Sequence, residues 1–368
     1  MTHSQRRAAL GARIRAAGLD AMLVTDLNNV RYLCGFTGSN AGLLVFADDG
    51  EPVLATDGRY RTQAAQQAPD VELAIERACG RYLAGRAAAA GAWRLGFESH
   101  VVTVDGFDAL SAALTEAGST ELVRAPHTVE ALREVKDAGE VALLRLACEA
   151  ADAALTDLIA RGGLRPGRTE REVGRELEAL MLDHGADGVS FETIVATGAN
   201  SAVPHHRPTD AALAAGDFVK IDFGALVGGY HSDMTRTFVL GKAADWQVEI
   251  YELVSSAQRA GRVALEAGTS LADVDAAARR VIADAGHGAH FGHGLGHGVG
   301  LQIHEAPGIN ATAAGTLLAG SVVTVEPGVY LPDRGGVRIE DTLVVADENS
   351  GHAPELLTRF PKELAILT

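Results

Sequence analysis

Cysteine is scarce. Cys34, Cys79 and Cys148 are the three in 368 residues, widely spaced and without a Cys-x-x-Cys pair. That excludes a disulfide framework and a thiolate metal site, and leaves the thiols as small core hydrophobes. Long apolar runs are also missing: no stretch approaches the length that spans a bilayer, and the first residues carry charges throughout where a signal peptide would be uninterruptedly apolar. A cytoplasmic protein with no membrane partner is expected. Positive charge is in deficit, with 32 Lys and Arg against 48 Asp and Glu and a net charge of -16, so nucleic acid is a poor partner. Two motifs are lacking as well. No G-x-G-x-x-G aligns in the Gly- and His-rich stretch 286–300, and His304-Glu305 is followed by Pro307 and Gly308, which cannot complete the helical H-E-x-x-H of zinc proteases.

What is present divides in two. Residues 4–18 read as an amphipathic helix, and short apolar strands at 21–24, 42–47, 53–55, 71–75 and 94–97 alternate with helical stretches at 59–67, 81–90 and 104–117. This alternation predicts an α/β domain over residues 1–125. Phe36 to Asn40 and Asp57 to Tyr60 are polar loops that turn and cap chemistry accounts for. After Pro126 a long helix is expected from Val129 to about Ala160, then a second from Thr169 to Leu182 with Thr169 and Glu172 as a capping box. A second domain, 126–368, begins here.

That domain is organised by GDFVKIDFGALVGGYHSDMTRTFVL, residues 216–240, in which strand formers flank Gly228-Gly229. The pattern is a β-hairpin. Whichever glycine pairing centres the turn, Asp222 and Asp233 share one face, opposite or diagonal. Like charges facing across strands are unfavourable unless a cation lies between them. After two more expected helices, 245–267 and 271–285, the pattern recurs: VVTVEPGVYL and GVRIEDTLVV, joined at Pro332 to Gly335, set Glu326 against Glu340 if the hairpin folds about Asp333. Arg338 shares the face of Glu340. Between the hairpins, 286–300 reads as an extended strand with His293, Leu295, His297 and Val299 on one face, which separates the two histidines too far to share an ion. One of them can be a ligand. Four carboxylates and one imidazole balance a pair of divalent cations, and an oxygen-rich set of this kind suits manganese best, with cobalt, iron and zinc as alternatives. Two such ions would clamp and acidify a water for hydrolysis.

The order Asp222, Asp233, His297, Glu326, Glu340, set in IDFG, SDMTRTF, HGLGHGVGL, EPGVY and RIEDT, resembles the metal set of the pita-bread metallopeptidases, the family of methionine aminopeptidase, prolidase and aminopeptidase P. The resemblance covers residues 126–368 and implies a pita-bread catalytic domain with a pseudo-twofold repeat. It implies that Asp222 chelates one metal, that His297 and Glu326 bind the other, and that Asp233 and Glu340 bridge both. The loop NSAVPHHRPTD is similar to the substrate loop of the Xaa-Pro cleaving branch, in which the residue matching His205 contacts substrate, that matching His293 lines the pocket, and that matching His304 steadies the transition state. Arg338 matches an arginine of the same branch, and Glu326 is the implied proton carrier. FTGSNA and TDGRY in residues 1–125 resemble the creatinase/prolidase N-terminal domain. The implied activity is an Xaa-Pro aminopeptidase acting on peptides with a penultimate proline, as a homodimer or homotetramer. Prolidase is the alternative; metal-free creatinase chemistry is disfavoured by the intact ligand set, and a non-catalytic binding module by the intact ligands together with His293 and His304.

Overall fold

The computed structural model of the chain describes residues 1–368 apart from 49, 119, 348–352 and 368. The described residues form two compact units, Met1–Arg133 and Glu134–Thr368. None of their helices is long and apolar enough to cross a membrane.

In the first unit, β1 (Ala21–Val24), β2 (Ala41–Phe46), β3 (Val53–Thr56), β4 (Glu72–Ile75), β5 (Arg94–Phe97) and β6 (Glu121–Arg124) form one sheet in the order β4-β3-β2-β1-β5-β6. Around it lie α1 (His3–Ala16), α2 (Leu27–Cys34), α3 (Arg61–Gln67), α4 (Cys79–Ala89), α5 (Val104–Ala117) and α6 (Glu130–Arg133). β1 pairs antiparallel with β2 and parallel with β5, and is buried along its whole length, which is why it reads as an unbroken apolar run. The loops at 36–40 and 57–60 are tied to each other: Asn40 donates to Asp57 Oδ2 at 2.9 Å, and Asp57 caps the short 3₁₀ turn Gly58–Tyr60. Two elements escape a pattern reading. α2 carries Asn28, Asn29 and Arg31 among its apolar residues and is defined instead by its Asp26 cap and by Gly35 at φ +81. β6 is half-exposed and ends two residues before Pro126.

The helix expected from Val129 to Ala160 is two helices. α6 ends at Arg133, and α7 (Ala138–Ala160) starts behind Asp137, whose carboxylate accepts from the amides of Gly139 and Glu140 while Glu140 returns a bond to the Asp137 amide. This capping box is a start signal that continuous Ala, Leu and Glu periodicity obscures. α6 belongs to the first unit, because Arg133 donates to Asn29 and Tyr32 donates to the Leu132 carbonyl. The unit therefore ends after Arg133, whereas the sequence reading sets the boundary at 125/126.

The second unit repeats a theme. The first half is α7, α8 (Glu170–Asp183), β7 (Gly188–Val189), β8 (Ile194–Thr197), β9 (Phe218–Phe223), β10 (Ala225–Val227), β11 (Tyr230–His231) and β12 (Met234–Leu240). The second half is α9 (Asp245–Val263), α10 (Leu271–Asp284), β13 (Gly296–Gly298), β14 (Glu305–Ile309), β15 (Val322–Val325), β16 (Gly328–Leu331), β17 (Gly335–Arg338) and β18 (Asp341–Val344). β19 (Glu355–Leu356) and β20 (Ile366–Leu367) then extend the two sheets, β14-β13-β15-β18-β19 and β20-β12-β9-β8. Each half has its own core, one built on Leu155, Leu177, Ile221 and Phe238, the other on Val254, Val274, Val323 and Leu343. Thr169 caps α8 through the expected box with Glu172. The strand expected across 286–300 shrinks to β13, wedged between β14 and β15. A Cβ at Gly296 would lie 2.0 Å from the Thr324 carbonyl oxygen, and one at Gly298 2.1 Å from that of Ala306, so close backbone approach requires glycine at both positions.

Candidate metal centre

Both hairpins have the register that sets carboxylates on one face. In the first, Val227 pairs with Tyr230 and Asp222 with Thr235, which centres the turn on Gly228-Gly229 at φ +56 and +82. Asp233 therefore lies diagonal to Asp222. In the second, Leu331 pairs with Gly335 and Val322 with Val344, which centres the turn on Asp333 at φ +59 and brings Glu326 level with Glu340. Neither hairpin is continuous. The first is interrupted at Gly224 and at Ser232-Asp233, the second at Glu326-Pro327 and at Ile339-Glu340. Three of the four acids thus stand where the ladder breaks, and such breaks re-aim side chains out of the sheet. At Gly224 the break needs a glycine, since a Cβ would fall 1.8 Å from the Ser232 carbonyl oxygen.

The five residues expected as ligands line a single cavity of 260 Å³ together with His205 and His304. Ligand atoms of Asp233, His297 and Glu340 all lie within 4.8 Å of one another. His297 Nε2 is 3.5 Å from Asp233 Oδ2 and 3.4 Å from Glu326 Oε1. Asp222 Oδ1 is buried with no hydrogen-bond partner. Burial and the neighbouring carboxylates Glu340, Asp222 and Glu326 push Asp233 well above the usual carboxylate range, and burial with Glu326 and Asp222 does the same to Glu340. Burial alone would raise Glu326 too, but His297 and Arg338 hold it below that range. Convergent acids, one an orphaned oxygen and two driven toward protonation, are a set that divalent cations fit and that nothing else among the described residues neutralises in full.

Comparison with known proteins agrees with this geometry. The signature of Metallopeptidase family M24 matches residues 142–347, and that of the Creatinase/Prolidase N-terminal domain matches residues 6–135. The chain belongs to metallopeptidase family M24. It is 34% identical over 346 residues to an Xaa-Pro dipeptidase of Pyrococcus horikoshii, covering 94% of each chain. An Xaa-Pro dipeptidase structure from Bacillus anthracis superposes over 100% of both chains with a TM-score of 0.93 and 38% identity. An X-Pro aminopeptidase structure from Thermotoga maritima covers 96% of this chain and 99% of its own, with a TM-score of 0.85 and 33% identity.

In this M24 chain the supports of the centre cross from one hairpin to the other. Arg338, fully buried on β17, pairs with Asp222 on β9, and its Nε donates to Thr235 Oγ1 at 3.0 Å. Thr235 in turn donates to Glu340 Oε2 at 2.7 Å, and the Glu340 amide donates to the Thr235 carbonyl. Arg236 bonds the Glu340 carbonyl and pairs with Asp341 at 2.9 Å. Arg338 and His293 are absent from the cavity lining. They meet at the Tyr330 hydroxyl, each at 2.8 Å.

The loop carrying His205 is pinned on both sides. Lys220, wholly buried on β9, donates to the carbonyls of Val203 at 2.7 Å and Pro204 at 3.2 Å, and Arg338 also donates to Pro204. Burial and the Arg338 charge push the Lys220 amine well below its ordinary value. On the far side, His206 Nε2 is 2.8 Å from Glu170 Oε2, and Glu170 also accepts from Thr197, Asn200 and Thr209. His205 is left between the two anchors, at the cavity. Glu170, Lys220, Thr235 and Tyr330 are supports that sequence reading passed over. A lysine beside the ligand aspartate in a strand whose other residues are apolar, VKIDF, is the single signal that pointed to one of them.

Proposed function

We propose that this M24 enzyme is an Xaa-Pro dipeptidase, with the Xaa-Pro aminopeptidase as the second reading. One observation carries the proposal: His205, His304 and the five ligand residues converge on one cavity of 260 Å³. That convergence supports a metal-dependent Xaa-Pro peptidase; the cavity is open to solvent, so the order of the two readings rests on the relatives. The dipeptidases of Pyrococcus horikoshii and Bacillus anthracis support placing the dipeptidase first, which reverses the order the motifs alone suggested. The Thermotoga maritima relative supports the second reading.

Asp222, Asp233, His297, Glu326 and Glu340 would hold two divalent ions, manganese by preference for their oxygen-rich set. When bound, the ions polarise the scissile carbonyl and acidify a water. The rest is work for side chains. Glu326, kept ionised by His297 and Arg338, accepts a proton at its carboxylate and delivers it to the prolyl nitrogen as that nitrogen departs. A prolyl amide has no N–H to offer a strand edge, so side chains must orient the substrate, and His205 takes that role. His304, whose ring packs 4.4 Å from that of His297, donates to the developing oxyanion. Arg338 serves by positioning Asp222 and the His205 loop.

The test is hydrolysis of Ala-Pro beside Ala-Pro-Ala by metal-free protein with manganese added back. Cleavage of the dipeptide alone is the expected result. Cleavage of the tripeptide moves the assignment to the aminopeptidase, and failure to cleave either overturns both.

A further inference from the structure

The first unit holds a second cluster, far in sequence from the hairpins. His100 follows β5, His127 lies in the turn before α6 and Glu130 is the first residue of α6; ligand atoms of the three lie within 4.8 Å of one another. His100 Nε2 is 3.0 Å from Glu130 Oε1, and the two imidazole rings are 4.1 Å apart. Asn29 Nδ2 donates to the same Oε1 at 2.7 Å, which leaves Glu130 Oε2 buried with no hydrogen-bond partner. Burial alone would raise Glu130, but Asn29 and His100 hold it below the usual carboxylate range, so it is an anion. An anionic oxygen shut away from water without a partner is unfavourable, and the two imidazoles clustered with this carboxylate are donors that a cation can share.

We propose that His100, His127 and Glu130 bind one divalent ion of the imidazole-preferring kind, zinc or cobalt, in the N-terminal unit. Two nitrogens and one oxygen form a borderline-soft set, and three protein ligands leave a fourth tetrahedral position for water. This is opposite in character to the carboxylate-rich centre of the second unit. Coordination through His100 Nε2 moves that ring's proton to Nδ1 and gives up the long 3.4 Å contact from the His127 amide. The bound ion would clip the segment after β5 to the start of α6.

The test uses the full-length protein saturated with manganese and then dialysed against zinc. Wild type is expected to retain one more zinc per chain than the His100→Ala/His127→Ala double variant, at unchanged peptidase rate. His127 is exposed and sits at φ +54, a conformation that asparagine tolerates, so His127→Asn alone provides a variant that keeps the fold, and it is expected to lose the same zinc. With cobalt(II), the ring proton resonances of His100 and His127 should shift paramagnetically. Equal zinc content in wild type and both variants, or ring resonances unmoved by cobalt, overturns the proposal.

Discussion

The two hairpins of the catalytic unit share a topology and differ in how each is broken. The first opens at Gly224, where absence of a side chain lets the Ser232 carbonyl come in; the second opens at Pro327, where absence of an N–H ends the ladder. The supports are reciprocal. Asp222 of the first hairpin is gripped by Arg338 of the second, and Glu340 of the second is gripped by Thr235 and Arg236 of the first. Asp222 and Glu340 are each held from the opposite half, whereas Glu326 is approached by His297 and Arg338 of its own half. The centre therefore comes into being when the halves dock, and strain in one hairpin is felt by ligands on the other.

Breaking a ligand should have the largest effect. Glu340→Ala is expected to lower turnover at least about 100-fold and to reduce bound manganese, since loss of a mere supporting partner already costs about 10- to 100-fold. Wild-type turnover in that variant would remove Glu340 from the site. Next comes the glycine. Gly224→Ala forces the backbone apart and should cost about 3 kcal/mol, read as a lowered denaturant midpoint. A change under about 0.5 kcal/mol would mean that the interruption is not tight.

Metal removal tests the electrostatics. In the metal-free fold Asp233 and Glu340 titrate above their ordinary values, so the folded state holds protons more tightly than the unfolded one. Their contribution is fully favourable below the ordinary carboxylate values and is lost as pH rises through the raised ones. Manganese should therefore raise Tm more at pH 8 than at pH 5, as scanning calorimetry would record. An equal rise would show that the acids are relieved some other way.

Thr235→Val probes the crossing between hairpins. It removes the hydroxyl shared by Glu340 and Arg338, and should lower turnover about 10- to 100-fold and stability by about 1 to 3 kcal/mol. Unchanged turnover would separate the two halves functionally. The smallest effect is expected at the second break: Pro327→Ala should cost only about 0.4 to 1 kcal/mol, mostly through a freer unfolded chain. A loss as large as that of Gly224→Ala would erase the asymmetry between the hairpins.

Much of this was legible in the residues. Period-2 alternation in both hairpins put each pair of acids on one face, because side-chain direction along a strand depends on nothing beyond position, while the choice between opposite and diagonal in the first hairpin stayed open. Thr169 to Glu172 announced α8 through local hydrogen bonds alone. Signals failed where a local pattern was overridden. The run from Val129 to Ala160 looks like one helix because Asp137 and Glu140 are as compatible with a helix interior as with its start. His293 and His297 alternate as if on one strand, yet the regular strand takes in only 296–298, and His293 bonds Tyr330.

The sequence by itself pointed to the residues proposed to carry the chemistry: two hairpins, four acids and a histidine, in an order and local setting that resemble the metallopeptidase family whose signature the chain matches. Tertiary structure decided how those residues are held. The diagonal offset of Asp222 and Asp233, the grip of Arg338 on Asp222, the anchoring of the His205 loop by Lys220 and Glu170, and the cluster of His100 with His127 and Glu130 all join residues distant in the chain. Local propensity carries no information about such pairs, since their energies arise from burial and charge that exist only once the chain has folded.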